Sequence, residues 1–292
     1  MTWNVISARI EPWVLVSIVL GVTPLLAQAP SPTTGKSEDE RQTVQAHAVF
    51  TVSEGKRLIA KAVAKMPIVE NALKHGMVIV CKGTTNTYVA EELLGRKVPH
   101  GALVFGHVTP QKGGRQMPKV DPVPEVILVK GRHRSDLTLD EALQRLAAGD
   151  VVIKGGNALD YANKTVGVWT GSPTGGTTAK ITPHIAARRA HLVIPIGLEK
   201  RVTERVADIA AKVNQPLENV TELPRMHLLT GHIVTEIEAL RILANVEAFQ
   251  ASAGGVGGAE GAVWMVWRGR REDVEKARTI VASVQGEEPF IP

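Results

Sequence analysis

Residues Met77 to Gly95, MVIVCKGTTNTYVAEELLG, set a continuous apolar run, a small polar turn and a helix start side by side. That succession constrains the fold more than any other stretch of the chain. Met77 to Cys81 are apolar throughout, the pattern of a parallel strand covered on both faces. Gly83 can take backbone angles closed to other residues, and Thr84, Thr85, Asn86 and Thr87 supply hydroxyl and amide groups. Backbone N–H groups at a helix start have no intrahelical partner and point back into the turn, where they can hold an anion. Gly95 suits the C-terminal cap. Taken alone, the turn reads equally as an ordinary strand–loop–helix connection capped by Thr or Asn.

The same alternation continues along the chain. Leu58, Ile59, Ala62, Val63 and Met66 recur at helical spacing, and Pro67 can open a second helix that Gly76 closes. ALVFGHV (102–108) and EVILVKG (125–131) are strand-like and flank a Gly/Pro/Lys-rich loop. Thr138 to Ala148 reads as a helix, Val151 to Ile153 as a strand, 183–190 as a helix opened by Thr182-Pro183, and His191 to Ile196 as a strand. Alternating strands and helices predict a three-layer α/β domain with a largely parallel sheet over residues 50–213. From residue 214 the pattern restarts as β-α-β-β-α, with strands at 226–230, 246–253 and 262–268. This predicts a ferredoxin-like α+β module over 214–292. Trp264 and Trp267 lie three apart on one strand, so one is expected in the core and one at the surface.

The N-terminal segment differs in composition. Trp13 to Ala27 is an apolar run of fifteen residues, followed by Ala27-Gln28-Ala29. It is short for a spanning helix and suits the core of a secretory signal over residues 1–29, with an uncleaved anchor or a mis-assigned start codon as the alternatives. Export to the periplasm or the cell exterior is therefore expected, and a cytoplasmic protein if the start is mis-assigned. Membrane contact is expected only through this segment. Residues 30–49 are rich in Pro, Ser, Thr and charge and read as a linker.

In 292 residues the formal charge is +5, with basic pairs such as Arg188-Arg189 and Arg270-Arg271 beside acids. Scattered pairs describe a solvated surface, so nucleic acid is not an expected partner. One cysteine excludes an internal disulfide, and Cys81, ending an apolar strand, reads as a small core residue. No Cys/His cluster or HExxH motif is present, and no metal or other cofactor is expected. Assembly of identical copies stays open.

Two further loops fall at predicted strand ends, where open α/β sheets bind ligands. In Lys154-Gly155-Gly156-Asn157-Ala158-Leu159-Asp160, the glycines permit close backbone approach and Asn157, Asp160 and Lys164 can orient polar groups. Thr170 to Thr178, TGSPTGGTT, lacks the Lys of a nucleotide P-loop. It offers Gly171, Ser172, Gly175, Gly176 and Thr177 to an anion or a carbonyl. Each loop also has a plain reading as a surface turn. The expected ligand-binding set is Lys82, Gly83, Thr84, Thr85, Asn86, Thr87, Gly155, Gly156, Asn157, Gly171, Ser172, Gly175, Gly176 and Thr177. Asp160, the only nearby acid, and Lys164, the nearest cation, are the catalytic candidates.

CKGTTNTYVAEELLG resembles the first phosphate-binding turn of the ribose-5-phosphate isomerase, glucosamine-phosphate deaminase and CoA-transferase superfamily. VVIKGGNALD, VGVWTGSPTGGTTAKI and HLVIPIGLEK resemble its second block, and ANKTVGV is similar to a run in initiation-factor-2B-like sugar isomerases. The resemblance spans residues 75–205 and implies a small phosphorylated or carboxylated metabolite as ligand, with isomerase or acyl/CoA-type chemistry. The chain departs from the pattern where that motif places its carboxylates, having Lys154, Asn157 and Ala158. Thr170 or Ser172 stands where the superfamily has the Lys of its glycine loop. Aldose–ketose isomerisation needs a base to move a proton between adjacent carbons. Two readings follow: a divergent enzyme without the usual catalytic carboxylates, or an exported binding or sensor module without turnover.

Overall fold

A computed structural model describes residues 43–110, 112–113 and 116–291. The expected signal segment lies outside these residues, as does most of the expected linker. In chain order the first half contains β1 (Thr43–Phe50), α1 (Val52–Ala64), α2 (Pro67–His75), β2 (Met77–Val80), α3 (Thr84–Leu94), β3 (Val126–Val129), β4 (Arg132–His133) and α4 (Leu139–Gln144). The middle holds β5 (Val151–Ile153), β6 (Ala158–Asp160), β7 (Thr165–Thr170), α5 (Gly176–Arg188) and β8 (His191–Pro195), then a 3-10 turn at Leu198–Lys200. The last elements are α6 (Val206–Val213), β9 (Arg225–Leu229), β10 (His232–Val234), α7 (Glu236–Ala244), β11 (Glu247–Ala253), β12 (Val263–Arg270) and α8 (Arg271–Ala282).

The central sheet has six strands in the order β10-β8-β5-β2-β3-β4. β10, β8, β5 and β2 run parallel, and β3 and β4 extend the sheet antiparallel beyond β2. MVIV, buried at all four positions, forms β2 because a strand covered by helices on both sides must be apolar on both faces. Val78, Val80, Val151 and Ile153 face one layer, with Leu58, Ile59 and Val89 of α1 and α3. Met77, Ile79, Cys81 and Val152 face the other, with Leu143 and Ile181 of α4 and α5. The mixed α/β class and the largely parallel sheet agree with the sequence expectation. Capping boxes fix three helix starts, Thr51–Glu54 at α1, Thr138–Glu141 at α4 and Thr235–Glu238 at α7. Gly95 closes α3 in the left-handed conformation.

The C-terminal segment departs from expectation. A ferredoxin-like module would form one antiparallel sheet of its own, yet β9 pairs with β7 and β10 with β8. Only β11 and β12 stay together, and the strand completing their sheet is β1, giving the order β1-β12-β11. Residues 43–49, read as the end of a linker, are thus a strand, with Thr43 opposite Arg270 and Phe50 opposite Val263. Trp267 is fully buried and Trp264 exposed, as alternation requires. A third sheet has the strand order β6-β7-β9. ALVFGHV forms no strand, and α5 begins at Gly176 with Pro183 in its interior. Among the described residues no helix is long and apolar enough to cross a membrane.

Candidate functional site

β2 and β5 end side by side, and their following turns run into one cavity of about 720 Å³. Its walls include Lys82, Gly83, Thr84, Thr85 and Asn86 from the first turn, and Lys154, Gly155, Gly156 and Asn157 from the second. Gly171, Trp169, Lys56, Glu199, Lys200 and the loop Val104–Val108 also line it. The site thus lies beyond the carboxyl ends of parallel strands, where such sheets bind ligands.

Gly83, the N-cap of α3, offers no side-chain cap. Its own N–H donates to Leu103 O at 2.8 Å, and Thr87 N is the first helix amide to bond back, to Gly83 O at 2.9 Å. The free amides of the first turn are therefore presented at the cavity wall with their share of the helix dipole. Asn86 is fully buried and its Nδ2 donates to Cys81 O (2.7 Å) and Ile153 O (3.3 Å), locking β2 to β5 at the turn. Its Oδ1 is buried without a hydrogen-bond partner among the described residues, which is uncommon for a fully buried amide.

Three lysines converge on the same space. Lys56, on the second turn of α1, is only 8 % exposed. Burial, reinforced by Lys200, pulls its amine down to about 8, against an opposing pull from Glu199 and Glu236. Lys154 and Lys200 are also held below the ordinary lysine range, by burial first and, for Lys154, by Lys200. Lys154 Nζ donates to Gly155 O at 3.0 Å and Lys200 Nζ to Gly156 O at 2.9 Å. Glu236, the first residue of α7, lies against α1 where Gly55 leaves room, since a Cβ there would be 2.5 Å from Glu236 Oε1. Burial and the neighbouring Glu199 push its carboxyl up to about 8, and its Oε2 accepts Leu198 N at 2.9 Å. Burial thus disfavours the charged form of these amines and of the Glu236 carboxyl, which adjoins the cavity without lining it.

The sequence-derived residues divide into two groups. Lys82, Gly83, Thr84, Thr85, Asn86, Gly155, Gly156, Asn157 and Gly171 all line the cavity. Thr87 is buried behind it, with Oγ1 donating to Gly83 O. Ser172, Gly175, Gly176 and Thr177 lie outside the lining; Ser172 pairs with Thr174, and Gly176 and Thr177 are the first residues of α5. Asp160 and Lys164 are also outside it. Asp160 instead ties down the β6–β7 turn and the start of α6, accepting from Asn163 N (3.0 Å), Asn163 Nδ2 (2.9 Å) and Val206 N (3.4 Å). Burial would raise its carboxyl, but these bonds outweigh it and hold the group low. The carboxylate so bonded caps the turn and the helix start, and Asp160 is not among the residues that line the cavity. Lys164 Nζ sits 3.4 Å from the centre of the Tyr161 ring and 3.6 Å from Glu238.

Lys56, Glu199, Lys200 and Glu236 were not among the sequence-derived candidates. Lys200 closes the quoted HLVIPIGLEK block, whereas nothing in the sequence links Lys56 to the loops. Cys81 is fully buried and its thiol is pushed up to about 12 by burial, so it is a core residue. Among the described residues, no group of three or more His, Cys, Asp or Glu could hold a metal ion. The chain matches no family model, no curated protein and no solved structure.

Proposed function

We propose that this cavity binds a small anionic metabolite, phosphorylated or carboxylated. The observation that carries the reading is the convergence of Lys56, Lys154 and Lys200 with the uncapped start of α3 on one cavity. Three partly or fully desolvated amines repel one another, and an anion among them would relieve that repulsion while accepting hydrogen bonds from the helix amides. The volume suits a small metabolite. The resemblance to the sugar-phosphate isomerase and CoA-transferase superfamily points to the same ligand class through the same first turn. Isomerase-type or acyl-transfer chemistry would have to use Glu199 or a lysine, because Asp160 is committed elsewhere.

The test is thermal unfolding of the full chain with inorganic phosphate, pyrophosphate, citrate and ribose 5-phosphate. At a hundredfold excess over Kd a ligand adds about 2.7 kcal/mol, which for a chain of this size shifts Tm by about 4–5 °C. At least one of these anions is expected to give a saturable shift of that order, and Lys200→Met to remove most of it. Absence of a saturable shift with any of the four would overturn the reading.

A further inference from the structure

Lys56 differs from its two companions in how its nitrogen is held. Lys154 and Lys200 each spend a hydrogen on the carbonyl of a glycine in the second turn, which fixes them as stationary cations. Lys56 Nζ makes no hydrogen bond to a described residue and lies over the face of Phe290, 5.7 Å from the ring centre. It is a buried amine at a cavity wall with an unoccupied electron pair once deprotonated. Glu199, on the same wall, has Oε1 buried without a partner among the described residues. A lysine nitrogen without a hydrogen bond, an unpartnered Glu199 oxygen and the proposed anion cradle therefore line one cavity.

Resting on the anion-binding reading, we propose that the ligand also carries an aldehyde or ketone, and that Lys56 joins its carbonyl carbon as an imine. Lys154, Lys200 and the α3 amides hold the anionic end while the carbonyl meets Lys56 Nζ. The neutral amine adds its electron pair to the carbonyl carbon, forming the C–N bond of a carbinolamine. The C–O bond then breaks and the oxygen leaves as water, carrying both amine hydrogens. Glu199 relays those protons from nitrogen to oxygen, and no oxidant or reductant is consumed. Asn86 Oδ1, the second unpartnered acceptor at the wall, suits a hydroxyl of the ligand. Amine nucleophiles need a neutral nitrogen near working pH, and burial brings Lys56 to about 8. The charged groups that set this value are Lys200, which lowers it after burial, and Glu199 and Glu236, which raise it.

Pyridoxal 5′-phosphate is a suitable probe, being an aldehyde with a phosphate, and pyridoxal is its control without the anion. The full chain would be treated with each, reduced with borohydride and mapped by peptide mass spectrometry. Lys56 is expected to be labelled at least tenfold faster by the phosphorylated aldehyde than by pyridoxal, and faster than Lys65, whose side chain is 68 % exposed. Excess inorganic phosphate should suppress the Lys56 adduct and leave Lys65 unaffected, and Lys56 labelling should rise through about pH 8. Lys56→Arg should lose the adduct. Labelling of Lys56 no faster than Lys65, or of Lys154 or Lys200 in its place, overturns the imine assignment. If phosphate still stabilises the chain in that case, anion binding stands and only the imine falls. If none of phosphate, pyrophosphate, citrate and ribose 5-phosphate stabilises the chain either, both fall together.

Discussion

Arg57 follows Lys56 on α1 and points into a different environment. Its Nη2 meets Glu91 at 2.5 Å, Nη1 meets Glu92 at 3.1 Å and Nε meets Glu287 at 2.9 Å, while the guanidinium lies 4.6 Å from the centre of the Tyr88 ring. Glu91 is itself buried and also accepts Val98 N at 3.0 Å. Removing the guanidinium leaves a carboxylate enclosed with Lys97 as its remaining cation, 3.5 Å away and largely exposed. Arg57→Met is therefore expected to cost about 3–5 kcal/mol, seen as a lower urea midpoint; a loss below about 1 kcal/mol would show the cluster to be a weak surface-type pair. The apolar spacing of α1 is plain in the sequence, and Leu58, Ile59, Ala62 and Val63 are indeed core residues. That spacing says nothing of Lys56 and Arg57, because charged residues default to solvent. They are buried here because α1 packs against α3 and α7 as well as the sheet, a tertiary fact without a local signature.

At the scale of elements, the strand–turn–helix of β2 and α3 was legible because everything it needs is contiguous: an apolar run, a Gly turn and a capping Gly. The hairpin β6–β7 was not legible. β6 has three residues and its sheet is completed by β9, more than fifty residues later. The start of α5 was misplaced for a related reason. Pro183 is a good opening residue for a helix, yet the helix already runs from Gly176 and tolerates the missing N–H, with Thr182 Oγ1 donating to Thr178 O. The hairpin bears directly on the site through Gly156. An added Cβ there would overlap Val166 Cγ1 and lie 3.2 Å from Gly167 O, while Gly156 O holds Lys200. Gly156→Ala must push β7 off the end of the central sheet and shift the carbonyl that positions Lys200. The expected outcome is a loss of about 1–3 kcal/mol in stability together with weaker stabilisation by phosphate. Unchanged stability and unchanged phosphate response would mean that the hairpin does not form this wall.

For the molecule as a whole, the sequence conveyed local periodicity and hid the long closures, above all β1 pairing with β12, which brings residue 43 beside residue 270. Burial in those closures also sets how stability depends on pH. Glu287, bound by Arg57, is held below the ordinary glutamate range, so its contribution is present above the unfolded value near 4.3 and lost as pH falls through the lower folded value. Glu236 acts in the opposite sense. Its folded carboxyl keeps its proton to about pH 8, whereas the unfolded one releases it near 4.3, so between these values the native state binds more protons and stability falls as pH rises. Lys56 is lowered to about 8 from an unfolded value near 10.4, so from 8 upward the unfolded chain binds more protons and stability recovers. The unfolding free energy is therefore expected to peak near pH 5, fall toward a trough near pH 8 and rise again toward pH 10, with each of the two groups contributing up to about 1.4 kcal/mol per pH unit in its window. Urea unfolding of the parent and of Glu236→Gln across pH 5–10 tests this. The glutamine keeps an acceptor for Leu198 N and cannot ionise, so its advantage over the parent should grow from pH 5 to 8 and then level off. Lys56→Met should remove the recovery above pH 8. A constant difference between the parent and Glu236→Gln across pH 5–8 would mean that Glu236 is ionised in the folded protein, and the cavity would then be less cationic than the anion reading requires.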